Sequence, residues 1–301
     1  MGKALPVSLR DRLASGTFTV TAEIGLPRGA ATDSVAKVAG VLRGWVDAVN
    51  ITDNAGASVR LASWAGSLAA LAAGLEPVMQ MTCRDRNRSA LQSDLLGAAA
   101  FGIRNVLVMT GDPPLGAKGV FDLDSVELLA ALRAMRDEGV LMSGQHLDPA
   151  PDCFLGAVEN PFAPDATTRL GQKVAAGAQF VQTQFVFDVP AFVRWMKEVC
   201  DLGLHERCHI LVGVGVVRSL RALDYIRDQV RGTHVPDEVY RRLREATEDR
   251  IADEGERLAA ETVRRLREID GVAGVHLLAA GNEDAVPPIL EAAGIGARHA
   301  S

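Results

Sequence analysis

Two carboxylates sit where a folded chain would find them hard to ignore. Glu23 interrupts the apolar run "VTAEIG" (20–25), and Asp112 follows another in "NVLVMTGDPP" (105–114). A carboxylate inside an apolar strand is costly to bury unpaired. Burial would also raise its pKa, which makes Glu23 a candidate proton donor. Gly-Asp-Pro-Pro suits a turn as well as a site, and composition leaves Asp112 evenly between the two. Gln182 and Gln184 in "FVQTQFVF" (180–187) share one strand face, where two neutral amides could read a polar heterocycle. Either amide taken alone could equally be a structural hydrogen bond. "CRDRNR" (83–88) offers three arginines to an anion, although a solvated loop capping a helix is the commoner use of such a run. His276 could act as a base, with a satisfied core histidine as the more ordinary reading.

These residues fall at the ends of short apolar segments that alternate with amphipathic ones. Strand candidates span 17–25, 48–54, 77–83, 105–111, 153–160, 180–187, 209–217 and 271–281. Helical patterns lie between them, and Asp124-Ser125 offers an N-cap for one at 124–139. Strands that are apolar on both faces and alternate with helices build parallel βαβ units. Eight units predict an α/β fold, the (β/α)₈ TIM barrel, over residues 1–301 as a single domain. A long charged segment, 236–269, adds extra helices between strands seven and eight, with a break expected near Gly255. In such a barrel chemistry sits at the C-terminal ends of the strands. The polar residues there also include Asn50, Thr52, Asp53, Asn54, Gln80, Thr82, Arg84, Thr110, Glu159 and Asn160.

Several classes of function are excluded or disfavoured. A net charge of −6 gives no basic footprint for nucleic acid. Apolar runs fall short of the roughly 18 residues of a membrane span, and "MGKALPVSLRDRLASG" lacks the apolar core of a signal peptide. The four cysteines, Cys83, Cys153, Cys200 and Cys208, form no CxxC pair, so reduced thiols in a cytoplasmic protein without a metal site are expected. GxxxxGK[ST], GxSxG and HExxH are absent, and "GVGVV" (213–217) lacks the third glycine of a dinucleotide fingerprint.

Taken together, the segments "VTAEIGLPRG", "VNITDNAGASVR", "PVMQMTCRDRNRSALQSDLLGAAAFGIRNVLVMTGDPP", "ENPFAP", "KVAAGAQFVQTQFVFD" and "GVHLLAAG" resemble the methylenetetrahydrofolate reductase family over nearly the whole chain. The resemblance implies a (β/α)₈ barrel that reduces 5,10-methylenetetrahydrofolate to 5-methyltetrahydrofolate, a one-carbon step that feeds methionine synthesis. It implies that Glu23 helps protonate the folate, that Asp112 stands beside flavin and pterin, and that Gln184 binds the pterin, with Gln182 near it. It implies FAD contacts at Thr52, Gln80, Thr110, Gly111, Asp112, Phe121 and Lys173, with NADH or NADPH as electron donor. A homo-oligomer is expected.

The chain also departs from the family's pattern. Gln80 stands where a histidine is common, Thr110 where an arginine precedes Gly-Asp, and Phe121 where a tyrosine touches the flavin. A glutamine expected in the helix after strand seven falls near Ala222. FMN, or no flavin, therefore stays open beside FAD. So do direct hydride transfer from a reduced carrier, the oxidative direction, and a non-catalytic folate-binding subunit with an electron-transfer or methyltransferase partner.

Overall fold

The computed structural model describes residues 7–114, 118–230 and 232–298. Eight parallel strands close into a barrel in chain order. They are β1 (Thr19–Ile24), β2 (Ala48–Ile51), β3 (Pro77–Thr82) and β4 (Asn105–Met109). β5 (Phe154–Glu159), β6 (Phe180–Phe185), β7 (His209–Gly215) and β8 (Val272–Leu278) complete it. A short α1 (Leu9–Ala14) precedes β1. Helices α2 (Asp33–Leu42), α3 (Ser63–Ala72), α4 (Arg88–Ala100), α5 (Ser125–Asp137), α6 (Ala166–Ala176) and α7 (Val189–Asp201) follow the first six strands in turn. Three helices, α8 (Leu220–Gln229), α9 (Asp237–Glu245) and α10 (Ile251–Leu266), separate β7 from β8, and α11 (Val286–Ala292) follows β8.

The strand alternation sorts side chains into two cores. Outward residues such as Val20, Ile24, Ile51, Met81, Val108 and Val212 pack under the helices, which return Leu42, Leu95, Leu132, Phe192 and Val263. Inward residues fill the barrel. At its N-terminal end Leu9 and Leu13 of α1 close a plug with Ala48, Val78, Leu107, Phe154, Phe180 and Leu211. The Phe154 and Phe180 rings stack at 5.1 Å, and Gly156 makes room, since a Cβ there would overlap the Phe180 ring. One layer nearer the strand C-termini the inward residues turn polar: Thr21, Asn50, Gln182 and His276. The barrel thus runs from a dry base to a polar mouth.

Side-chain caps mark five of the eleven helix starts among the described residues, those of α1, α4, α5, α7 and α8. Asp124 caps α5 as expected, accepting from the Val126 and Glu127 amides at 2.8 Å each, while Glu127 accepts back from the Asp124 amide at 2.9 Å. The extra helices are present, but their break is not at Gly255. Ala246 and Thr247 are extended, with ψ of 144° and 154°, and a short 3₁₀ turn leads into α10. Gly255 lies inside α10, where a Cβ would overlap the Val217 carbonyl oxygen. The glycine serves close packing of helix on strand end rather than chain reversal, and one residue type supports both. Gly255→Ala is therefore expected to lower stability by about 1–3 kcal/mol as an overpacking change. Helix propensity alone would raise it by about 1 kcal/mol, so the sign of the shift in a urea midpoint decides.

Five non-glycine residues have positive φ among the described residues: Asn54 (49°), Ala57 (53°), Phe121 (43°), Asp165 (58°) and Ala280 (48°). Every one lies in a loop that leaves the C-terminal end of a strand, after β2, β4, β5 or β8.

Candidate active site

A cavity of about 590 Å³ opens at the C-terminal mouth of the barrel. Its walls come from seven strands, the loops just beyond them and helices α5 and α6, and they include Glu23, Asn50, Gln80, Thr110, Gly111, Asp112, Glu159, Asn160, Lys173, Gln182, Gln184 and His276, all singled out from the sequence. Leu107, Met109, Val158 and Leu278 supply an apolar lining. β7 sends no side chain in. A Cβ at Gly213 would collide with the Thr183 and Gln184 backbone, so the strand stays bare there.

Glu23 points into this cavity from β1. Its Oε2 accepts one hydrogen bond, from Gln80 Nε2 at 2.9 Å. Burial raises its pKa, the Gln80 bond opposes the rise, and the charge of Glu283 adds to it. Gln80 thus holds the acid with a neutral amide.

The polar layer beneath is uncharged. Asn50 and Gln182 exchange two amide hydrogen bonds, at 2.5 and 3.0 Å, and Gln182 Nε2 also reaches Thr21 Oγ1 at 3.3 Å. Both amide ends of Gln182 are therefore engaged within the barrel. Gln184 differs. Its Oε1 accepts from the Phe185 amide at 3.0 Å, while its amide nitrogen has no partner among the described residues. His276 Nδ1 lies 2.9 Å from Thr21 Oγ1, and burial pushes its pKa down to about 3, so the ring is neutral.

Glu159 anchors the opposite wall. It is 3% exposed and accepts from Lys173 Nζ at 2.8 Å, Arg169 Nη2 at 2.5 Å and the Asn160 amide at 2.9 Å. Lys173 also donates to the Val158 carbonyl at 2.7 Å. The trio holds two cations against one anion, a surplus of positive charge beside the cavity. Arg169 escaped the sequence reading. Its signal was its spacing, four residues before Lys173 on one face of α6, aimed at the strand end that carries Glu159.

Asp112 stands exposed at the rim with no hydrogen bond to the described residues. Gly111 takes a φ of 87°, and a Cβ there would lie 3.1 Å from Arg84 Cβ, so the turn needs glycine in order to place the aspartate. Thr110 Oγ1 accepts from the Ser125 amide at 3.3 Å, tying the loop to the start of α5.

The arginines of "CRDRNR" are not waiting for an anion. Arg84 pairs with Asp85 at 2.8 Å, Arg86 with Asp53 and Asp94, and Arg88 with Asp122 at 2.8 Å. Two residues expected as flavin contacts lie outside the cavity lining. Thr52 is buried and accepts from the Leu26 amide at 3.2 Å, and Phe121 is exposed on the loop before α5. No group of three or more His, Cys, Asp or Glu among the described residues could hold a metal ion. No helix among them is long and apolar enough to cross a membrane.

A closed (β/α)₈ barrel with two acids, a free amide and an apolar wall gathered at its C-terminal mouth has the layout of a TIM-barrel enzyme. Residues 8–294 match the family described as "Methylenetetrahydrofolate reductase". The chain belongs to that family. It is 26% identical to methylenetetrahydrofolate reductase 2 of Saccharomyces cerevisiae over 258 residues, 81% of this chain and 41% of that one. It is 28% identical to 5,10-methylenetetrahydrofolate reductase of Salmonella typhimurium over 131 residues, 44% of this chain and 41% of that one. The chain spans about a third to two fifths of the length of the first curated relatives it matches. Among solved structures, a Clostridium thermocellum protein that binds two copies of 5-methyl-5,6,7,8-tetrahydrofolic acid shares the fold, with a TM-score of 0.70 at 13% identity over 95% of this chain and 99% of that one.

Proposed function

We propose that this cavity interconverts 5,10-methylenetetrahydrofolate and 5-methyltetrahydrofolate by hydride transfer. The observation that carries the reading is Glu23, an acid whose pKa burial raises, held by a single amide in a cavity shared with Gln184 and Asp112. The binding of 5-methyltetrahydrofolate by the structural neighbour supports it.

In this mechanism the free amide of Gln184 receives the pterin and the apolar wall of Leu107, Met109 and Leu278 lies against its face. Protonated Glu23 gives its proton to the folate nitrogen that leaves as the five-membered ring opens. The exocyclic methylene becomes an iminium cation, and the Asp112 carboxylate at the rim stabilises that charge. One hydride at the methylene carbon and the one proton from Glu23 convert it to the methyl product, and solvent returns the proton to Glu23.

The residues present fit a flavin in part. The apolar wall and the Gln184 amide suit its ring, and the positive surplus of Arg169 and Lys173 over Glu159 suits a phosphate. A bound FAD would supply the hydride and would be recharged by NADH or NADPH. The placement of Thr52 and Phe121 outside the lining favours a second reading, in which NADH or NADPH gives the hydride directly. The reading carries with it a cytoplasmic setting and a homo-oligomer.

The test is product formation from methylenetetrahydrofolate and NADH, followed alongside the visible spectrum with and without added FAD. A flavin band that bleaches with NADH and returns with substrate is the expected result. Turnover without a flavin band would establish the second reading. No product under either condition would overturn both.

A further inference from the structure

His276 has a ring nitrogen that the fold leaves without a partner. The side chain is 3% exposed, in the polar layer at the floor of the cavity. Nδ1 is engaged by Thr21 Oγ1 at 2.9 Å, whereas Nε2 makes no hydrogen bond to the described residues and opens onto the cavity. A ring nitrogen left open on a cavity floor is available to a ligand.

The neighbours hold the ring through Nδ1. Thr21 Oγ1 receives Gln182 Nε2 at 3.3 Å and has one proton to give, to Nδ1 at 2.9 Å or to the Val275 carbonyl at 3.4 Å. Either arrangement leaves Nε2 free: as an N–H when Thr21 donates to Nδ1, or as an acceptor when Nδ1–H donates to Thr21 and Thr21 to the carbonyl. Asn50 locks Gln182 in turn, so the imidazole is oriented by three uncharged groups. Across the ladder His276 pairs with Gly213, which offers no side chain to cover it.

We propose that His276 is a substrate-binding residue: its free Nε2 makes a hydrogen bond from the cavity floor to the edge of the bound heterocycle. The inference rests on the reading of the cavity as a folate site. An uncharged floor with one directed ring nitrogen selects the uncharged edge of a pterin over a charged group.

The experiment measures 5-methyltetrahydrofolate binding by calorimetry for the intact protein, His276→Leu and His276→Gln, with thermal melts as a check on folding. Loss of one neutral hydrogen bond is expected to weaken binding about tenfold in the leucine variant, with the glutamine variant recovering most of it. KM should rise by a similar factor while kcat at saturation changes less. In the wild-type protein, folate should move the His276 Nε2 resonance in a ¹⁵N spectrum. Equal loss in both variants, undiminished binding by the folded leucine variant, or an Nε2 resonance unmoved by bound folate would overturn the proposal while leaving the folate site standing. No folate binding by the wild-type protein would instead overturn the reading on which it rests.

Discussion

Replacing Glu23 by glutamine is expected to lower turnover of methylenetetrahydrofolate by about a hundredfold to ten-thousandfold, the usual contribution of a positioned acid. Glutamine keeps the size of the side chain and can still bond Gln80, so folate binding measured without turnover should change little. The pH dependence gives a second signature. Burial raises the Glu23 pKa from its ordinary value of 4.5, so the folded protein keeps this proton to a higher pH than the unfolded chain does. The associated stability is full below the unfolded value and is lost as pH rises through the folded one. Activity that needs the proton falls over the same upper limit. Glu23→Gln should therefore flatten the falling limb of the rate profile and gain stability relative to wild type at alkaline pH. Unchanged turnover in a folded variant would remove Glu23 from the mechanism.

Glu159→Gln is expected to be the most damaging single change to the cavity wall. It strips the carboxylate from Lys173, which is 9% exposed, and from Arg169. Breaking a buried pair from one side costs about 3–5 kcal/mol, because the remaining charge stays desolvated. A double variant, Glu159→Gln with Lys173→Met, removes both charges and should recover much of that loss in a urea melt. If the double variant loses the sum of the single effects, the pair does not stabilise the wall in this way.

The barrel was legible because its signal is repeated eight times. Each strand is short, apolar and bounded, and the observed limits fall inside the expected ones, as with 272–278 inside 271–281. The alternation of strand residues likewise places Glu23, Gln182 and Gln184 inside the barrel. What each polar group does there depends on partners far away in the chain. Gln182 meets Asn50 across 132 positions, and Arg86 meets Asp53 across 33. No local pattern announces that the first is engaged by another amide or that the arginines of "CRDRNR" are already paired. Gly255 failed for a related reason, since its neighbour Val217 belongs to the end of another element.

The five left-handed backbone positions all stand on the cavity face, in loops after β2, β4, β5 and β8. A side chain in that conformation costs about 1–2 kcal/mol, so substitutions to glycine at Asn54, Ala57, Phe121, Asp165 or Ala280 would relieve conformational energy where it concentrates. The same loops shape the entrance through which a substrate must pass. Directed selection for heat tolerance would therefore draw its gains from one rim of the molecule. The base at α1 carries no non-glycine residue of this kind among the described residues, so attachment there would leave the cavity loops untouched.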